Sequence, residues 1–134
     1  MRKFLIATHG TFSAGAKSSL EMIIGTLENL FIIQAYVSGN QAIEDEIKSI
    51  LTQVNDADEL VIFSDIMGGS VTNQLLQQAV KPSVHIVSGF NLPLLIEVML
   101  GDAETPVDEI IESAIINAKE QMVYVTKLIN SESK

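Results

Sequence analysis

With 134 residues, 47% of them hydrophobic, the chain is the size of one domain and carries enough apolar side chains for a core. Its 17 acidic and 8 basic residues give a formal charge of -9, which argues against non-specific binding to nucleic acid or to an anionic membrane. Cysteine is absent, which excludes thiolate metal sites, disulfides and cysteine nucleophiles.

Met1-Arg2-Lys3 leads into an apolar run from Phe4 to Thr8 that is too short for a secretory signal core. No apolar run approaches the roughly 18 residues that span a bilayer, so a soluble protein of the cytoplasm is expected. Lys3 to Thr8 reads as a first buried strand, ending abruptly at His9. Leu20, Ile23, Ile24 and Leu27 then recur at helical spacing, predicting a helix over Gly15 to Glu28. Asn29 to Val37 is rich in β-branched and aromatic residues and predicts strand 2, with a turn at Ser38-Gly39-Asn40.

A second helix is predicted over Gln41 to Val54, because Ile43, Ile47, Ile50, Leu51 and Val54 share one side. Glu59 to Ser64 is strand 3 and runs into Asp65-Ile66-Met67-Gly68-Gly69-Ser70, after which Val71 to Val80 carries helical spacing. Lys81-Pro82 stops that helix, Ser83 to Ser88 is strand 4, and a short helix opens at Leu92-Pro93. Thr105 is the expected N-cap of a last long helix over Val107 to Lys119, with Pro106 at its first position and Asp108 completing a capping box. The succession Val123-Tyr124-Val125-Thr126 favours a strand within Gln121 to Ile129, and Asn130 to Lys134 reads as a frayed polar end.

Alternating strands and helices imply parallel pairing with right-handed crossovers, hence one domain over residues 1–134 built on an open α/β sheet with helices on both faces. Such sheets bind ligands beyond the carboxyl ends of their strands, where strand order reverses. In a flavodoxin-like order, 2-1-3-4, that point lies between strands 1 and 3. His9 ends the first and Asp65 follows the third, so the two are expected to meet there.

His9 alone reads most simply as a strand-capping imidazole, and Asp65 alone as an Asx turn or helix cap. Together they have a sharper use. A carboxylate that accepts from one imidazole nitrogen fixes the tautomer, frees the lone pair of the other nitrogen, and stabilises positive charge on a substituted ring. Those are the needs of a phosphoryl-accepting histidine. Gly68, Gly69 and Ser70 precede a helix, so their amides and the Ser70 hydroxyl are candidates to face a phosphoryl group, with Thr11 and Ser13 as candidates at the first helix. His85 lies inside strand 4 and reads as structural. Met67 reads as a pocket-edge filler or part of a docking rim. Two histidines without HxH or HExxH spacing give no metal site, and neither a P-loop nor a GxGxxG fingerprint is present, so no cofactor is expected.

Three segments now stand in order: Ala7-Thr8-His9-Gly10, Phe63 to Asn73, and Gly89-Phe90-Asn91-Leu92-Pro93-Leu94-Leu95-Ile96-Glu97. With them the chain, from about Arg2 to Ile129, resembles the IIA component of the mannose-type family of the bacterial phosphoenolpyruvate:sugar phosphotransferase system (PTS). The resemblance implies a phosphocarrier: His9 would accept a phosphoryl group from phospho-HPr and pass it to a IIB component, serving the membrane IIC and IID components indirectly. Asp65 would hold the unphosphorylated imidazole nitrogen, and Ser70 and Asn91 would line the pocket. It further implies a fifth, antiparallel strand near the C-terminus, exchanged within a homodimer, which suits Met122 to Ile129. Two other readings stand beside it, a phosphorylation-dependent binding module and the phosphocarrier subunit of a dihydroxyacetone kinase.

Overall fold

The computed structural model describes residues 1–132; Ser133 and Lys134, part of the expected frayed end, lie outside the described residues. Contacts gather into two compact units, Met1–Leu92 and Pro93–Lys134. In the first, β1 (Arg2–His9), β2 (Leu30–Ala35), β3 (Glu59–Ser64) and β4 (Val84–Ser88) form one sheet in the order β2-β1-β3-β4. Every pairing is parallel. The connecting helices are α1 (Phe12–Ile24), α2 (Glu44–Leu51) and α3 (Ser70–Gln78).

Right-handed crossovers fix where these helices lie. The step from β1 to β2 runs toward one edge, whereas those from β2 to β3 and β3 to β4 run toward the other. So α1 takes one face of the sheet, and α2 and α3 take the opposite face. Strand alternation agrees: Leu5, Ala7, Ile33, Ala35, Leu60 and Ile62 pack with Ile43, Ile47 and Ile50 at α2, with Val71 and Leu75 of α3, and with Ala79 at its C-cap. The alternate positions Phe4, Ile6, Val61 and Phe63 are equally buried, so the strands read as continuous apolar runs.

Element boundaries shift where a single residue decides them. Helix α1 begins three residues before the expected Gly15, because the Thr8 hydroxyl accepts the Ser13 N–H at 2.8 Å and caps the helix from β1. Buried Ser13 in turn donates to the Ile33 carbonyl at 2.8 Å, tying α1 to β2. The helix stops at Gly25, whose φ of 88° no ordinary residue adopts comfortably, and the apolar spacing that runs on to Leu27 does not extend it. Strand β2 ends before the expected Val37 because Tyr36 turns into the left-handed region at φ 66°.

The second unit holds α4 (Leu92–Met99, entered from the first unit's last residue), α5 (Val107–Glu120) and α6 (Val125–Glu132). A Cβ on Gly101 would stand 2.8 Å from Ile110 Cδ1, so the chain after α4 approaches α5 closely and a larger residue there would make the Ile110 side chain shift. Asn117 Nδ2 donates to Glu97 Oε1 at 2.7 Å. At the start of α5 the N-cap position is taken by Pro106, no side chain caps it, and Thr105 instead turns back on Asp102.

The largest departure is the tail, where the expected strand over Gln121 to Ile129 is a helix from Val125. A strand satisfies its backbone only through a neighbouring strand, whereas a helix pairs its own groups, as Leu128 N–H does with the Tyr124 carbonyl at 3.1 Å. Spacings of three and four between Val125, Leu128 and Ile129 serve a helical face as well as β-branching serves a strand. Asn130 continues that helix rather than fraying.

One ion cluster fastens the start of the sheet. Asp58 meets Lys3 Nζ at 3.0 Å and the Met1 amine at 3.3 Å, and its Oδ2 accepts the Asn55 N–H at 3.0 Å. The Asn55 N–H first, and the Lys3 ammonium second, outweigh burial and hold the carboxyl down at about 2. A carboxyl depressed in the folded state stabilises the fold above its unfolded pKa, about 3.9, and that contribution is lost as the pH falls through about 2. The Asp58→Asn protein is therefore expected to melt below wild type at pH 7, with the gap closing between pH 4 and pH 2; thermal unfolding followed across that range checks it.

Candidate functional site

The register of β1 against β3 sets the site. Ala7 stands opposite Ser64, the last residue of β3, while β1 runs two residues further along β2 to His9, so His9 comes to lie beside Asp65 just beyond the end of β3. His9 Nδ1 lies 2.9 Å from Asp65 Oδ2, and the same oxygen accepts the His9 backbone N–H at 2.9 Å. Asp65 Oδ1 accepts the Ile66 N–H at 3.0 Å. The carboxylate side chain is 9% exposed and the imidazole 40%. Burial pushes the Asp65 carboxyl up, but the bonds from the His9 backbone and ring outweigh it and leave the carboxyl below its ordinary value. An ionised carboxylate only accepts, so Nδ1 carries the hydrogen and Nε2 presents its lone pair.

Nε2 faces the Ser70 hydroxyl at 3.3 Å. Ser70 is the first residue of α3, reached through a turn in which Gly68 has φ 78° and the Gly69 N–H returns to the Ile66 carbonyl at 3.1 Å. A Cβ on Gly69 would sit 3.2 Å from that carbonyl, so the glycine lets the turn close tightly there, while at 3.7 Å from His9 Cε1 it would be in ordinary contact with the imidazole. The Gly69 amide is thus engaged within the turn. The Ser70 amide belongs to the first turn of a helix, where intrahelical acceptors are lacking. On the other side Gly10, at φ 57°, donates its N–H to the Ala35 carbonyl at 2.8 Å.

The remaining sequence candidates divide. Thr11 occupies the N-cap position of α1, exposed, and its side chain does not cap the helix. Ser13 is fully buried and spends its hydroxyl on β2, so it serves the fold. Asn91 lines an apolar cleft of about 330 Å³ with Phe12, Ala16, Phe90 and Leu92, where the Phe12 and Phe90 rings stack at 5.2 Å between centroids. Ile66 and Met67 in the turn after β3, Val37 after β2 and Phe12 at the start of α1 are exposed at the same end of the sheet. His85 stands within β4, its Nε2 3.4 Å from Glu59 Oε1.

Tyr36 and Gln74 were not foreseen. The Tyr36 ring lies 5.5 Å from the His9 ring, and its hydroxyl bonds Ser70 Oγ at 2.8 Å. Gln74, one turn along α3, donates from Nε2 to the Tyr36 hydroxyl at 3.0 Å. Tyr36 alone among the non-glycine described residues has positive φ, a conformation that costs on the order of 1–3 kcal/mol for a bulky side chain. A tyrosine closing an apolar strand reads as core from the sequence; only the left-handed turn aims it across the strand ends.

The class defined here is an open α/β sheet that carries an aspartate-held histidine at its topological switch point. The family model for the PTS system fructose IIA component matches residues 3–115, and the chain belongs to that mannose-type IIA family. Among solved structures it is similar to a protein from Klebsiella pneumoniae described as a phosphoenolpyruvate-dependent sugar PTS permease, with 32% identity, a TM-score of 0.88, and 96% of this chain and 93% of that one covered. The PTS IIA protein associated with the fucose utilization operon of Streptococcus pneumoniae is 29% identical, with a TM-score of 0.77 and 96% of each chain covered. EIIA of Streptococcus agalactiae is 28% identical, with a TM-score of 0.78 and 95% and 99% covered. No curated protein sequence matches the chain. Among the described residues no helix is long and apolar enough to cross a membrane.

The fixed polarity of the Asp65 bond to His9 makes the tautomer measurable. In Asp65→Asn the side-chain amide can donate to Nδ1, so the Nε2–H tautomer is expected to appear in the imidazole ¹⁵N–¹H spectrum, where wild type shows Nδ1–H alone. The same exchange is expected to cost about 1–2 kcal/mol of folding stability, through weaker acceptance of the His9 and Ile66 N–H groups.

Proposed function

We propose that this IIA component is a phosphocarrier that takes a phosphoryl group onto His9 Nε2 from phospho-HPr and hands it to a IIB component in sugar uptake. The observation that carries the reading is the 2.9 Å contact of His9 Nδ1 with an acceptor-only carboxylate, which leaves Nε2 as the nucleophile at a partly exposed edge. The donor's P–N bond breaks as the bond from phosphorus to Nε2 forms. No proton moves with the group, and Nδ1 keeps its hydrogen on Asp65, which offsets positive charge on the substituted ring. The transition state is loose, with charge on equatorial oxygens, so positioning and donors do most of the catalysis. Ser70 supplies a hydroxyl and a helix-start amide beside Nε2. The reaction requires neither metal nor nucleotide.

The surface supports transfer between proteins. Phe12, Val37, Ile66 and Met67 give an apolar rim at the strand ends, suited to brief docking of a carrier protein. The charge of -9 favours basic partners and predicts an encounter rate that falls with salt. We assign the work to the cytoplasm, beside the membrane IIC and IID components. Self-association belongs to the same proposal: Met122, Tyr124, Val125, Leu128 and Ile129 are all exposed, and pairing with a second copy would remove them from water.

Intact mass after incubation with phosphoenolpyruvate, enzyme I and HPr tests the carrier reading. Wild type and His85→Ala are expected to gain one acid-labile phosphoryl group, His9→Ala none, and Asp65→Ala to gain it about ten- to a hundred-fold more slowly. Transfer that survives His9→Ala rejects the assignment. Light scattering at micromolar concentration is expected to give twice the chain mass, and a single-chain mass rejects the homodimer.

A further inference from the structure

A hydrogen-bonded chain with one possible direction runs into the site from α2. It starts at the backbone N–H of Ile43, which only donates, to Gln74 Oε1 at 2.9 Å. With its oxygen so engaged, Gln74 must present Nε2 to the Tyr36 hydroxyl, at 3.0 Å, and to the Ser70 carbonyl, at 3.2 Å. The Tyr36 oxygen therefore accepts, and its single proton goes to Ser70 Oγ at 2.8 Å. Ser70 then has its own proton left for His9 Nε2, at 3.3 Å. From the far side, Asp65 accepts from Nδ1 and leaves Nε2 as the acceptor. Both ends of the path have fixed polarity, so every proton between them points toward Nε2.

We infer that Tyr36 is a positioning residue: through Gln74 and Ser70 it commits the Ser70 hydroxyl to donate into the space beside His9 Nε2, where the transferred phosphoryl oxygens arrive. The inference rests on the phosphocarrier reading for its catalytic consequence, not for the hydrogen-bond direction. Without the Tyr36 proton, the Ser70 hydroxyl is free to rotate and to accept instead, and an accepting oxygen repels phosphoryl oxygens. With it, the donor is set before the partner docks, and its hydrogen has only to swing from the Nε2 lone pair to an adjacent phosphoryl oxygen as the P–N bond forms. The left-handed backbone at Tyr36, φ 66°, is what carries the ring across the end of β2 to lie 5.5 Å from the imidazole.

Tyr36→Phe removes the hydroxyl and keeps the ring, and a cycle with Ser70→Ala separates a relay from a merely structural role. Two readouts are taken: the rate of phosphoryl gain from phospho-HPr, and the His9 Nε2 ¹⁵N shift in unphosphorylated protein. Tyr36→Phe is expected to slow transfer about three- to ten-fold, to move the Nε2 resonance toward its position in Ser70→Ala, and to have no added effect once Ser70 is alanine. Gln74→Met, which breaks the chain one link earlier, is expected to reproduce both changes and serves if Tyr36→Phe folds poorly. A Tyr36→Phe protein with wild-type rate and Nε2 shift, or one slowed equally with and without Ser70, overturns the relay and leaves the carrier reading standing. Absence of transfer to wild type would instead reject the carrier reading, and the Nε2 shift would then decide the hydrogen-bond direction by itself.

Discussion

The arrangement at the strand ends depends on one carboxylate that can accept but not donate. Asp65 Oδ2 takes both the backbone and the ring N–H of His9, so it fixes the end of β1 and the imidazole with one atom. Its cost is desolvation, offset by three N–H groups, two from His9 and one from Ile66. A hydroxyl or an amide in its place satisfies part of this geometry without fixing its polarity. The tautomer of His9 therefore follows from the sheet's register, since β1 must run past the end of β3 for the contact to form.

Much of the fold was legible because parallel strands buried on both faces are written as short apolar runs, and the order β2-β1-β3-β4 follows from alternation and handed crossovers. His9 and Asp65 were legible for the same reason, each standing where an apolar run stops. The roles of Gly68 and Gly69 were legible only in part. Their spacing announces a turn before a helix, but which amide is already spent on Ile66 is a matter of backbone angles that residue type does not encode.

What was not legible depended on partners distant in the chain. Tyr36 and Gln74 are 38 positions apart and acquire a joint role only when β2 and α3 are brought together. Helix α1 starts early because of a hydroxyl on the preceding strand, a cap that local spacing does not reveal. The tail misled for a different reason. Val123 to Thr126 has strand propensity, but propensity supplies no neighbour, and a segment without one closes its hydrogen bonds on itself.

The left-handed Tyr36 also bears on how such a chain responds to selection. A bulky residue there is a standing conformational cost that Gly or Asn would relieve, and relief of this kind is among the easiest routes to a more heat-resistant protein. Selection for heat resistance therefore weighs that strain against the packing of the Tyr36 ring on the core and its hydrogen bonds to Ser70 and Gln74. An aromatic hydroxyl kept at that turn under such pressure would be a record, in the sequence itself, that those contacts outweigh the strain.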